Sequence, residues 1–353
     1  MESSANLNPS PVIRAIDLFC GMGGSSWGAK AAGAEVVAAF DRWSLAGKTH
    51  HENFPNTAFF EGRLEDCDAQ ALVSQIGPID LIMASPECTN HSPAKGAAAR
   101  CDVSKNTAFQ VITFARAFKP RWVIVENVVN MKNWSRYREF CEALGGEGYH
   151  VTEQKLNSAD FGVPQSRERL FLLCDRQGKP TEVPRPCLPQ LPASSFINLN
   201  GQYAWTPVDN GRRAKPTLER ARRGREQVKH KPFLIVYYGS DGAGGWQKLS
   251  RPLRTVTTVD RFAVVKQQKG VDVMRMLQPE ELAIAMGMNG MALSHGSRRD
   301  KIHMLGNAVC PPVMKAVVSH LTGAGCAKAA SLAKQEGSIK SKCVSRGPAV
   351  KAK

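Results

Sequence analysis

The chain has no unbroken apolar run long enough to cross a bilayer, which needs about 20 residues. Its first residues, MESSANLNPSP, are polar and lack the apolar centre of a signal peptide. No membrane association is expected, and the expected compartment is the cytoplasm. None of the ten cysteines pairs with another as CxxC, which argues against a structural zinc site, and no metal is expected. A disulfide framework does not suit a chain of 353 residues without an export signal. The pattern GxxxxGK[ST] is absent, so a Walker-type nucleotide hydrolase is not indicated. There are no internal repeats.

Negative charge is also scarce. Thirty-one Asp and Glu face 47 Lys and Arg, for a net charge of +16. Such an excess favours a polyanionic partner, most often nucleic acid. A basic tail, 323–353, holds seven Lys or Arg against one Glu. The mid-chain stretch GRRAKPTLERARRGREQVKHK, 211–231, holds nine against two. Hydrophobic residues make up 42% and charged residues 22%, as in a globular chain.

Short apolar segments read as strands: VIRAIDLF (12–19), AEVVAAF (34–40), IDLIMA (79–84), RWVIVENV (121–128) and RLFLLC (169–174). Helical spacing occupies 25–33, 107–118 and 135–146. The alternation predicts an α/β fold, a mostly parallel sheet with helices on both faces. Residues 180–232 are rich in Pro and Arg and poor in periodicity. FLIVYYG and LRTVTTVDRFAVV follow as strands, which predicts a smaller inserted lobe, and helical signals return at QPEELAIAMGM and 307–321.

Chemistry gathers at the strand ends, where ligands of parallel sheets bind. DLFCGMGG joins a strand to a helix. Its glycines let a ligand approach the backbone, and the helix N-terminus favours negative charge. Asp41 ends the next strand, where a carboxylate commonly accepts ribose hydroxyls. This suits an adenosine-containing cofactor, a dinucleotide or S-adenosylmethionine. Cys88 follows IMASPE, and Glu126 follows VIV. QSRER (165–169) brings Arg167 and Arg169 to the same region. A thiolate that adds to an electron-poor ring, with an acid at the ring nitrogen, is covalent catalysis on a pyrimidine.

These motifs, in this order, resemble the DNA (cytosine-5)-methyltransferases. DLFCGMGG resembles the family's cofactor motif, and SPECTNHS its catalytic loop, PPCQxxS. ENV, QSRER, RMLQPEELAIAMGM and GNAVCPPV resemble the motifs that follow, over about 13–322. The resemblance implies S-adenosyl-L-methionine as cofactor, duplex DNA as partner, and an S-adenosylmethionine-dependent, Rossmann-like catalytic domain. Cys88 would attack carbon 6 of a flipped-out cytosine. Glu126 would act at ring nitrogen 3, and Arg167 and Arg169 would hold base and sugar-phosphate. Phe19, Gly21, Gly23, Asp41, Trp43, Asn307 and Val309 would line the cofactor site. Any link to a cognate restriction endonuclease would be by genomic association only.

The implied organisation is a polar tail (1–12), a catalytic domain (13–177), a target-recognition lobe (178–268), a return segment (269–322) and the basic tail. Arg212, Arg213, Arg220, Arg222 and Arg223 would contact phosphates, and loops in YYGSDGAGGWQ and TTVDRF would read sequence. Three positions depart from the family pattern. Glu87 replaces Pro and Thr89 replaces Gln beside the cysteine, and Arg63 follows Gly62 where an acid for the adenine amino group is usual. Asp66 is the candidate substitute. The alternatives are an RNA cytosine-5 methyltransferase, an inactive DNA-binding homologue and a nicotinamide oxidoreductase.

Overall fold

The apolar segments of the first half form the strands β1 (Arg14–Leu18), β2 (Glu35–Asp41), β4 (Leu81–Ala84), β5 (Trp122–Asn127) and β8 (Glu168–Asp175), which are largely buried. The more exposed β3 (Ala58–Glu61), β6 (His150–Asn157) and β7 (Gln165–Ser166) complete the set. The computed structural model describes residues 12–87, 107–186, 188–200, 203–238 and 244–323. Cys88, the loop after it and the tail from 324 lie outside the described residues.

Seven of these strands form one sheet in the order β3-β2-β1-β4-β5-β8-β6. The first five pair in parallel, and β8 runs antiparallel to both β5 and β6. Among the described residues five α-helices lie between these strands in the chain: α1 (Gly24–Ala31), α2 (Ser44–Asn53), α3 (Ala69–Ile76), α4 (Gln110–Phe118) and α5 (Tyr137–Gly146). The strand period of two divides the core. Ala15, Met83 and Ile124 pack on one face with Ala29 of α1. Ile16, Ile82 and Val123 pack on the other with Leu72, Phe114 and Phe140. Burial on both faces is why these strands read as continuous apolar runs rather than alternating ones.

The second lobe holds β9 (Thr206–Pro207), α6 (Lys215–Val228), β10 (Phe233–Val236), β11 (Trp246–Lys248), β12 (Leu253–Arg254), β13 (Phe262–Gln268) and β14 (Val271–Met276). Five of its strands form an antiparallel sheet in the order β11-β10-β13-β14-β9. β12 instead pairs with β7 and so joins the lobe to the catalytic segment. The chain returns through α7 (Pro279–Ala285), α8 (Arg298–Asn307) and α9 (Pro311–Thr322), and α9 packs on α1.

Two expectations change. A lobe boundary at 268 would cut the β13–β14 hairpin, in which Gln268 pairs with Val271, so the second sheet runs on to Met276. The stretch read as aperiodic contains α6, fourteen residues long. Only Ala221 and Gly224 of that helix are buried. Its apolar stripe is therefore too thin to register as a period. Among the described residues no helix is long and apolar enough to cross a membrane.

Candidate active site

The turn after β1 departs from ordinary backbone. Phe19, Gly21 and Gly23 have φ of 58°, 53° and 99°. A Cβ on Gly23 would stand 2.6 Å from the Phe54 ring, so only glycine fits there. At the end of β2 the Asp41 carboxylate accepts the N–H of Gly21 through Oδ2 and of Trp43 through Oδ1, both at 2.8 Å. Burial raises its pKa, and the two N–H groups pull it back. Trp43 lies against His303 of α8, with ring centroids 5.0 Å apart.

The neighbouring strand ends are bonded to this turn. The Ser85 hydroxyl donates to Phe19 O at 3.2 Å, and Asn127 Nδ2 donates to Pro86 O at 3.0 Å. Glu87, the last described residue before Cys88, pairs with Arg42 at 2.7 Å.

Glu126, at the end of β5, has a side chain only 7% exposed. Arg169 Nε stands 3.1 Å from its Oε1. This is an ion-pair contact without hydrogen-bond alignment, since the same oxygen has no hydrogen-bond partner. Burial pushes the Glu126 pKa up, and Arg169 and then Arg167 pull it down. A carboxyl balanced in this way can take up a proton when a base arrives.

Arg167 lies in the same region as Glu126, with its side chain tied to backbone carbonyls. It is 3% exposed and donates to Val256 O at 2.9 Å, Gly306 O at 2.8 Å and Ala308 O at 3.0 Å. Its guanidinium thus braces the second lobe and the return segment against the end of the sheet. A side chain committed to three carbonyls positions its neighbours and has little left for a phosphate.

One cavity of about 670 Å³ joins the two groups of residues. Phe19, Gly21, Asp41, Trp43, Asn307 and Val309 line one part, and Glu126, Arg167 and Arg169 the other. Gly23 does not line it and serves the turn. Glu65 lines it and Asp66 does not, and Glu65 Oε1 accepts the Thr107 hydroxyl at 2.7 Å. Sequence reasoning passed over Arg42, Asn127 and His303. Asn127 stands next to Glu126 in ENV and was the one with a visible signal. Among the described residues no cluster of His, Cys, Asp and Glu could hold a metal ion.

The second-lobe arginines are mostly engaged within the lobe. Arg222 pairs with Glu219 and Glu226, and Arg223 with Glu219, one helical turn away. Arg213 donates to Pro207 O and the Thr206 hydroxyl. Arg220 lies over Tyr237. Arg212 is exposed beside β9. In TTVDRF, Asp260 pairs with Arg298, and Arg261 donates to Tyr237 O. Part of YYGSDGAGGWQ, 239–243, lies outside the described residues.

The segment RMLQPEE gains a physical reason. Arg275 forms two 2.7 Å bonds to Glu281, and both side chains are at most 5% exposed. Glu281 also accepts the Gln278 N–H and completes the capping box of α7.

The chain resembles known proteins over the same region. The Type II methyltransferase M.HgiDI of Herpetosiphon aurantiacus is 35% identical over 169 residues, 47% of this chain and 53% of that protein. M.AquIA of Picosynechococcus is 32% identical over 187 residues, 48% of this chain and 75% of that one. The chain thus spans about half the length of the first and three quarters of the second. Among solved structures, DNMT2 of Spodoptera frugiperda has a TM-score of 0.66 at 18% identity, covering 88% of this chain and 99% of that one. Dnmt2 of S. pombe has 0.63 at 15%, covering 88% and 98%. These two share the fold. The sequence model of C-5 cytosine-specific DNA methylase matches residues 13–323, almost the whole described span, and the chain therefore belongs to that family.

Proposed function

We propose that this protein methylates carbon 5 of cytosine in duplex DNA, with S-adenosyl-L-methionine as donor. The observation that carries the reading is the continuous cavity that runs from the turn after β1 to the buried Glu126 carboxyl. Its volume, about 670 Å³, lies in the range of ligand pockets. Asp41 suits the ribose hydroxyls, and Trp43 with His303 offers an aromatic wall for adenine. Glu65 rather than Asp66 is the carboxylate available to the adenine amino group. Held by these residues, S-adenosyl-L-methionine would supply an electrophilic methyl group for carbon 5, with S-adenosylhomocysteine as the leaving group.

The chain's own residues supply the rest. The Cys88 thiolate adds to carbon 6 of a flipped-out cytosine. Glu126 holds a proton at ring nitrogen 3 as charge builds there, which makes carbon 5 nucleophilic. Arg169 keeps Glu126 aimed, and Arg167 holds the segments around it. Water takes the carbon 5 proton, and Cys88 leaves. The second lobe, from about 178 to 276, serves as the target-recognition domain, and the Type II methyltransferases among the relatives support DNA as substrate.

The test is methyl transfer from labelled S-adenosylmethionine to mixed-sequence duplex DNA, followed by digestion and mass analysis of nucleosides. Labelled 5-methylcytosine from the wild type, and none from Cys88→Ala, is the expected result. Label found only in RNA overturns the DNA substrate. Retained cofactor binding with no product on either nucleic acid identifies an inactive homologue.

A further inference from the structure

Glu87 puts a carboxylate directly before the proposed nucleophile. A neighbouring negative charge disfavours a thiolate, so this residue opposes the chemistry. The structure supplies a partner for it. Arg42 Nη2 lies 2.7 Å from Glu87 Oε1, with side chains 57% and 26% exposed. Arg42 follows β2 and Glu87 follows β4, and β1 lies between those strands. The ion pair therefore bridges the turn that carries Phe19 to Gly23, and both residues line the cavity.

We propose that Arg42 is a positioning residue for the methyl transfer. By pairing with Glu87 it ties the chain directly before Cys88 to the cofactor strand and offsets the carboxylate charge of the residue that precedes Cys88 in the chain. The proposal rests on the methyltransferase reading above. Exposed ion pairs add little to folding, so the effect belongs to the reaction and not to global stability. The other charged groups on this wall have their own ties. Asp41 holds two backbone N–H groups, and Glu126 faces Arg169 with Arg167 behind it. Glu65 accepts from Thr107, Arg63 stands beside it on the cavity wall, and His303 lies against Trp43.

The experiment is the pH dependence of single-turnover methyl transfer at saturating DNA and cofactor. It compares the wild type with Arg42→Met, Glu87→Gln and the double variant. Arg42→Met should move the midpoint of the rising limb upward by about one pH unit, a loss of up to tenfold in rate below it. Glu87→Gln should not move it upward, and the double variant should return it to the wild-type value. The exchanged pair, Arg42→Glu with Glu87→Arg, should do the same, and it serves where Arg42→Met fails to fold. An unmoved midpoint in Arg42→Met, or equal upward shifts in both single variants, overturns the proposal while the wild type still methylates DNA. A wild type that labels no DNA overturns both this and the reading beneath it.

Discussion

At the scale of single residues, the oddest group is one that the proposed reaction does not use. Asp17 of β1 is fully buried and accepts the Ser26 hydroxyl at 2.6 Å, while Ser26 meets His50 Nε2 at 3.1 Å. Burial pushes the Asp17 pKa to about 7, against the pull of Ser26 and with a push from Asp41. Burial also lowers His50 to about 4, and the charge of His51 adds to that. The two act in opposite directions on stability. Asp17 binds its proton more tightly folded than unfolded, so its contribution is full below about 3.8 and is lost as pH rises to about 7. His50 contributes fully above 6.5 and loses that as pH falls to about 4. Asp17→Asn keeps an acceptor for Ser26 and removes the first dependence. Urea midpoints of this variant should rise with pH between 4 and 6.5, where those of the wild type stay flatter, and should exceed the wild type at pH 8. Parallel curves for the two proteins would show that Asp17 is ionised in the folded state.

At the scale of elements, what the sequence displayed depended on burial. β1, β4 and β5 are buried throughout or nearly so, and all three were legible as apolar runs. β6 has only two buried residues and reads as the polar string HVTEQKLN, so its place at the sheet edge was not visible. Glu126 could be picked out because a carboxylate after VIV has no packing purpose. Arg167 could be found but not understood, because its carbonyl partners lie 89 to 141 residues away. The same holds for Arg275 and Glu281, whose bond fastens β14 to α7. Breaking a buried pair leaves one charge uncompensated, a loss of about 3–5 kcal/mol. Arg275→Met should therefore lower the denaturation midpoint sharply. Arg275→Met with Glu281→Leu should recover part of the loss, but not all, because Glu281 also accepts from Asn198 N and Gln278 N. A double variant as weak as the sum of its singles would mean that the pair carries no coupling.

Over the whole molecule, the excess of 16 positive charges is divided among parts with different duties. In α6 much of the charge is answered locally by Glu219 and Glu226, and in β14 Asp272 answers Arg225. These arginines shape the lobe first and add to its field second. The tail is different, because its seven Lys or Arg meet a single Glu. If the protein acts on duplex DNA, such charge gives affinity without sequence information, through release of counterions. Deleting 326–353 should then lower binding to any duplex at low salt. The slope of log affinity against log salt should fall by at most about six, near 0.9 for each phosphate that the tail neutralises. The position of 5-methylcytosine in the product should not change if, as proposed, the second lobe reads the groove. Arg212→Ala, from an exposed site on that lobe, should change the slope by about one unit or less. Binding isotherms at several salt concentrations, read together with bisulfite sequencing of the product, separate the two parts. A tail deletion that shifts the methylated site would place sequence reading in the tail, and an unchanged slope would remove the tail from DNA binding altogether.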